Sequence, residues 1–130
     1  MATIERFGAK GVFEPAAYAQ AIRVKDASTI LFLSGQVAYD EKGGVLHPRD
    51  FKAQAREAFR CIKALVEAQG GTVRNIVKTT TFVTDVRYRA DLVPLREEFY
   101  AGHTAASTLV EVSALAHPDW LIEIEAIAVL

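Results

Sequence analysis

The side chains able to do chemistry in this chain of 130 residues form a short inventory. Carboxylates at Glu123, Glu125 and, further off, Glu111 accompany hydroxyls at Tyr18, Ser34, Ser107 and Thr108. With the free backbone N–H groups of strand ends, that set can bind a small polar molecule and hold a water beside a carboxylate acting as general base. Taken alone, carboxylates that alternate along a strand more often belong to a solvated sheet face.

Other chemistries lack their parts. His47, His103 and His117 are scattered, with no pair at i, i+4 and no cysteine partner, so no metal site is expected. Gly43-Gly44 and Gly70-Gly71 read as turns, and no Gly-x-Gly-x-x-Gly follows a strand, so no nucleotide cofactor has a docking point. There is no Gly-x-Ser-x-Gly elbow for a serine hydrolase. The single cysteine, Cys61, rules out an intrachain disulfide and lies beside an apolar helix stripe, which favours a packed thiol over a nucleophile. Lys78, in a threonine-rich run, reads as an edge or solvated lysine rather than a Schiff base.

The elements that must position the inventory follow from periodicity. In Leu121–Leu130 a period of two places Glu123 and Glu125 on one face and Ile122, Ile124, Ala126 and Ala128 on the other. Thr108–Val112 is a second strand, joined to it through His117-Pro118-Asp119. Thr3–Phe7 is a short first strand, and Ala19–Lys25 and Ser28–Ser34 suit an antiparallel hairpin around Asp26-Ala27. Ile30–Leu33, apolar throughout, is expected in the middle of a sheet. Asp50 caps a helix whose stripe is Phe51, Ala55, Ala58, Phe59, Ile62, Leu65 and Val66, stopped by Gly70-Gly71. Val73–Thr84 reads as one long strand. A second helix reaches Tyr100; either Asp91 is its N-cap, with Pro94 in its first turn, or it begins at Arg87, with a kink. Two helices cannot cover both faces of a five- or six-stranded sheet, so one face is left for association.

The length fits a single domain over 1–130, and 51% of residues are hydrophobic. A net charge of −1 supplies no field for DNA, RNA or an anionic membrane. With neither an export signal nor a long apolar run, a cytoplasmic protein is expected.

Six stretches in order resemble the Rid family (YjgF, or perchloric-acid-soluble protein) over nearly the whole chain. They are Tyr18-Ala19-Gln20-Ala21, Leu33-Ser34-Gly35-Gln36-Val37, Gln54-Ala55 through Val66-Glu67-Ala68-Gln69-Gly70-Gly71, Ile76 through Asp85, Val110-Glu111-Val112, and Ile122 through Ala128. The resemblance implies an α+β, chorismate-mutase-like mixed sheet with two helices on one face, in a homotrimer with a barrel-like core and clefts between subunits. It implies hydrolysis of reactive enamines or imines to a carbonyl compound and ammonia without a cofactor. By position, Tyr18 lines the cleft, Ser34 and Gly35 form its floor, the Leu109 backbone helps bind a carboxylate, and Glu123 orders the attacking water. The family's arginine clamp does not carry over, because the chain reads Ala106-Ser107-Thr108-Leu109-Val110-Glu111-Val112 and Ser107 stands in its place. A hydroxyl cannot replace a bidentate guanidinium, so Ser107, Thr108 and Leu109 would shape an altered pocket for an imino- or keto-acid-like ligand. Arg23, Arg87 and Arg89 are the arginines to inspect as replacements. The other readings are a non-catalytic metabolite-binding trimer and, more weakly, an endoribonuclease, the label often given to the family.

Overall fold

The computed structural model describes residues 2–130. Asp50 caps the principal helix, its Oδ1 accepting the Ala53 N–H at 3.2 Å, and α1 runs Phe51–Glu67. The stripe read from spacing is the buried one: Phe51, Ala55, Ala58, Phe59, Ile62 and Val66 are all buried, while Leu65 lies at its margin, 41% exposed. Gly70 ends the turn after the helix with φ +83°, a left-handed conformation that costs glycine no Cβ clash. Gln54, buried on the same stripe, is fully bonded. Its Nε2 donates to the carbonyls of His47 and Asp119, and its Oε1 accepts the Leu121 N–H. One amide on α1 thereby fixes the loop that feeds the last strand.

The second helix, α2, spans Arg89–Tyr100, so neither expected start is right. Asp85 caps a preceding 3-10 turn at Val86–Tyr88 by accepting the Arg87 N–H, and the chain winds from that turn into α2. Pro94 thus lies inside the helix, where its missing N–H leaves the Ala90 carbonyl without a helical donor.

Four strands form the main sheet: β3 (Ile30–Gln36), β4 (Ile76–Val83), β5 (Ala106–Glu111) and β6 (Ile122–Val129). Their order is β3-β6-β4-β5; β4 and β5 are parallel, and the other pairs are antiparallel. The parallel pair needs a crossover, which α2 supplies. Both helices cover one face. Val83, Ile122, Ile124 and Ala126 pack there against α1 and α2, and each buried Val or Ile side chain contributes about 1.5–3 kcal/mol. The fold is therefore the expected α+β arrangement of a mixed sheet with two helices on one face.

Three local expectations fail. Ala19–Lys25 and Ser28–Ser34 make no hairpin: β2 (Ala21–Lys25) pairs with β1 (Thr3–Phe7) in a separate two-stranded sheet, braced by Arg23–Glu5 at 2.7 Å. Asp26 turns the chain with φ +57°, and Ser28 and Thr29 then donate to the Leu130 carbonyl, which lays β3 along β6. Ile30–Leu33 therefore lies in an edge strand. Its apolar residues are not covered on both sides, and Phe32 is 77% exposed on the face opposite the helices. The long strand also begins late, because Val73–Asn75 is a 3-10 turn capped by Thr72.

No described helix is long and apolar enough to cross a membrane.

Candidate functional site

Register decides which candidate residues can meet. Across β6, β4 and β5, the row Glu123–Phe82–Val110 points away from the helices, as does Glu125–Thr80–Thr108. The intervening row, Ala126–Thr79–Ser107, points toward them, as does Ile124–Thr81–Leu109. The split of Glu123 and Glu125 from the flanking aliphatics is as the sequence pattern requires.

Glu123 is half-buried and lies against Gly35. A Cβ built on Gly35 would overlap the Glu123 carboxylate oxygen and come within 2.6 Å of its Cδ. Gly35 sits where the pairing of β3 with β6 shifts between Leu33 and Gln36, a bulge that re-aims the strand. The Gln36 Nε2 pins the bulge by donating to the Ser34 carbonyl at 2.9 Å, and the Tyr39 hydroxyl donates to Gln36 Oε1 at 2.7 Å. Ser34 then lines a concavity of about 280 Å³ on the open face with Phe32, Lys78, Thr80, Glu125 and Ile127. Lys78 Nζ donates to Thr108 Oγ1 at 2.7 Å, which ties down that lysine on the same face.

The remaining candidates gather elsewhere. Ala19 pairs with Ala106 in a single parallel bridge and donates to the Ala105 carbonyl at 3.0 Å. This lays Tyr18 along the outer edge of β5. Arg6 Nη2 holds the Tyr18 carbonyl at 3.0 Å. Ser107 is half-buried beside Thr79 on the helix side. The Leu109 side chain packs on the core, so only its backbone is available to a ligand. One protomer thus brings Glu123, Gly35 and Ser34 together, and separately Tyr18 and Ser107, on opposite faces of the sheet.

The three arginines singled out from sequence are poor replacements for a clamp. Arg23 is paired to Glu5 at the far two-stranded sheet, and Arg87 is hydrogen-bonded to Asp85 through both its backbone and its side chain. Arg89 opens α2 at the end away from Tyr100. The informative arginine was missed. Arg96 is half-buried on α2, its Nε is buried without a hydrogen-bond partner, and so is the hydroxyl of Tyr100 one turn on. Burial lowers the Arg96 pKa from its ordinary value. Burial also raises Tyr100 to about 12, against the opposing influence of Thr79 and Arg96. The Arg96–Tyr100 spacing of four was the available signal, since it puts both on one helical face.

Cys61 is a structural thiol: it is half-buried, and desolvation raises its pKa from the ordinary value. Among the described residues, no group of three or more His, Cys, Asp or Glu side chains is placed to hold a metal.

Known proteins are similar to this chain in sequence and in fold. The 2-iminobutanoate/2-iminopropanoate deaminase of Salmonella typhimurium is 42% identical over 118 residues, 88% of this chain and 91% of that protein. A RutC family protein of Pyrococcus horikoshii is 38% identical over 111 residues, 85% of each. A crystal structure of a conserved Rid family protein from Yersinia pestis, described as of unknown function, matches with a TM-score of 0.87 at 27% identity, covering 98% of both chains. The model of the family described as Endoribonuclease L-PSP matches residues 12–130. Sequence, fold and relatives agree that the chain belongs to this family, also called Rid or YjgF.

Proposed function

We propose that the chain is a cofactor-independent hydrolase of reactive imines and enamines, working in clefts between the subunits of a homotrimer in the cytoplasm. An enamine is first protonated at carbon to its imine. Glu123 takes a proton from water as the oxygen attacks the C=N carbon and returns it to the nitrogen; the carbinolamine then gives its hydroxyl proton to the nitrogen through the same carboxylate and expels ammonia as the carbonyl forms. The observation that supports this most directly is the seat of Glu123 over Gly35. A half-buried carboxylate, held where only glycine leaves it room, is set to orient a water rather than merely to solvate a sheet face. The opposite orientations of Glu123 and Ser107 favour clefts shared between subunits, with Glu123, Ser34 and Gly35 from one copy facing Tyr18, Ser107 and the Leu109 backbone of another, while Thr108 points to the same face as Glu123. The exposed apolar groups Ile30 and Phe32 would close the trimer's interior. Ser107 in place of the family's arginine points to a substrate range differing from that of the Salmonella relative.

The test is ammonia release from imines generated in situ, comparing wild type with Glu123→Gln. Loss of the general base lowers the rate about 10²–10⁴-fold; equal rates would remove Glu123 from the chemistry. Ser107 also favours a second reading, a trimer that binds a metabolite without turning it over. A keto acid that raises Tm while no imine is hydrolysed would select that reading. The name of the family model suggests RNA cleavage, but a net charge of −1 gives RNA little to hold. Cleavage by pure protein that Glu123→Gln abolishes would reverse that judgement.

A further inference from the structure

On the helix side of the sheet edge lies a second concavity, about 240 Å³, lined by Ala16, Ala17, Arg96, Tyr100, His103 and Thr104, with Glu97 and Gly102 completing it. Its polar groups are unusually idle. Among the described residues Arg96 makes no ion pair within 4.0 Å, although its Nε is cut off from water. The Tyr100 hydroxyl, in a side chain 5% exposed, makes no well-formed hydrogen bond and has Thr79 as its polar neighbour. Buried donors left unpaired are costly, a charged one most of all, so this arrangement is unfavourable unless something fills it. His103 is fixed by its Nε2, which donates to the Ile76 carbonyl at 2.8 Å. Thr104 Oγ1 accepts from Arg6 Nη1 at 3.1 Å.

Thr104 of the pocket wall stands three residues before Ser107, on the segment that enters β5. Ser107 lies beside Thr79 in register. The Tyr100 hydroxyl comes up against Thr79, and Arg96 is near enough to feel both Tyr100 and Tyr18. Tyr18 itself follows Ala17 of the pocket wall and precedes the Ala19 bridge to β5.

We propose that Arg96 is the carboxylate-binding group of this chain, reaching from α2 to hold a small 2-imino or 2-keto acid at the edge of β5 where Ser107 carries no charge. This rests on the deaminase reading only for the identity of the acid. A guanidinium presents paired N–H donors that match a carboxylate bidentately, and the Tyr100 hydroxyl adds a neutral donor on the same helical face. Glu97 is the opposing feature: its carboxylate shares the pocket wall and repels an acid ligand, so removing its charge should strengthen binding.

The experiment is calorimetric titration of the full-length protein with 2-ketobutyrate and with its neutral amide, for wild type, Arg96→Gln, Arg96→Lys and Glu97→Gln. Wild type should bind the acid at least tenfold more tightly than the amide. Arg96→Gln should abolish that preference, Arg96→Lys should keep part of it, and Glu97→Gln should increase it. Circular dichroism and Tm identify any variant that fails to fold, and the lysine and Glu97 variants then still decide the matter. Unchanged acid affinity in folded Arg96→Gln, or a wild type that binds acid and amide alike, overturns the assignment. The two readings separate. Arg96-dependent acid binding without ammonia release leaves this site standing and removes the hydrolase. Ammonia release from imines with no dependence of acid affinity on Arg96 does the reverse.

Discussion

Replacing Gly35 with alanine tests the seat of Glu123 by both stability and rate. Gly35 is not one of the glycines at positive φ, so its backbone accepts alanine, and in isolation the change should stabilise by about 0.4–1 kcal/mol through the unfolded chain. The new methyl overlaps the Glu123 carboxylate and lies 2.8 Å from its Cγ, so the mobile end of that side chain must shift, which offsets the gain and leaves the net change within about 1 kcal/mol of wild type. The carboxylate must swing aside, so imine hydrolysis should fall by about 10²-fold or more, since a base displaced by an ångström no longer meets its water. In a Glu123→Ala background the obstruction is gone, and Gly35→Ala should then stabilise. Urea unfolding of the four proteins in the cycle should give a coupling of about 0.5 kcal/mol or more. Additive effects, or a Gly35→Ala protein as active as wild type, would refute the packing of Glu123 over Gly35 as the basis of its role.

Phe32→Asp, on a side chain 77% exposed, should leave the monomer folded but shift light scattering from trimer to monomer; a persisting trimer would exclude the open face as the interface. Ile62→Ala, at a fully buried site on α1, should cost about 2–5 kcal/mol in urea unfolding, and a cost below about 1 would contradict the core described. The Arg87 guanidinium and backbone N–H hold the Asp85 carboxyl down to about 2 from 3.8. Because the folded value is depressed, the stabilisation is complete above pH 4 and is lost as pH falls through about 2. A carboxyl NMR titration should show Asp85 returning toward 3.8 in Arg87→Gln, and no movement would assign the shift to another cause.

The features legible in the sequence were those that obey a local period. The stripe of α1, the Asp50 cap and the alternation of β6 each follow from geometry repeated every few residues, and each appears as read except for the exposed Leu65. Pairing has no local signature. Ala19–Lys25 and Ser28–Ser34 look like a hairpin because they are neighbours, yet the groups that choose the partner of β3 lie at Leu130, about a hundred residues on. Ile30–Leu33 misled for a different reason: apolar residues on both faces suggest coverage by helices, whereas an association surface produces the same pattern. In the candidate site, the family pattern singled out Glu123 and Gly35, and the structure puts them in contact. Arg96 escaped because an arginine on an amphipathic helix ordinarily reads as solvated, and only the burial of its Nε shows otherwise.

The alternation that sends Glu123 and Ser107 to opposite faces of one sheet has a consequence for mixed assemblies. If both serve one cleft, the folding unit is not the working unit, and each chain lends half of itself to each of two neighbours. Two chains inactivated by different lesions, one on each face, would then rebuild a sound cleft where their intact halves meet. Dilution below the dissociation constant would silence the protein without unfolding any of it.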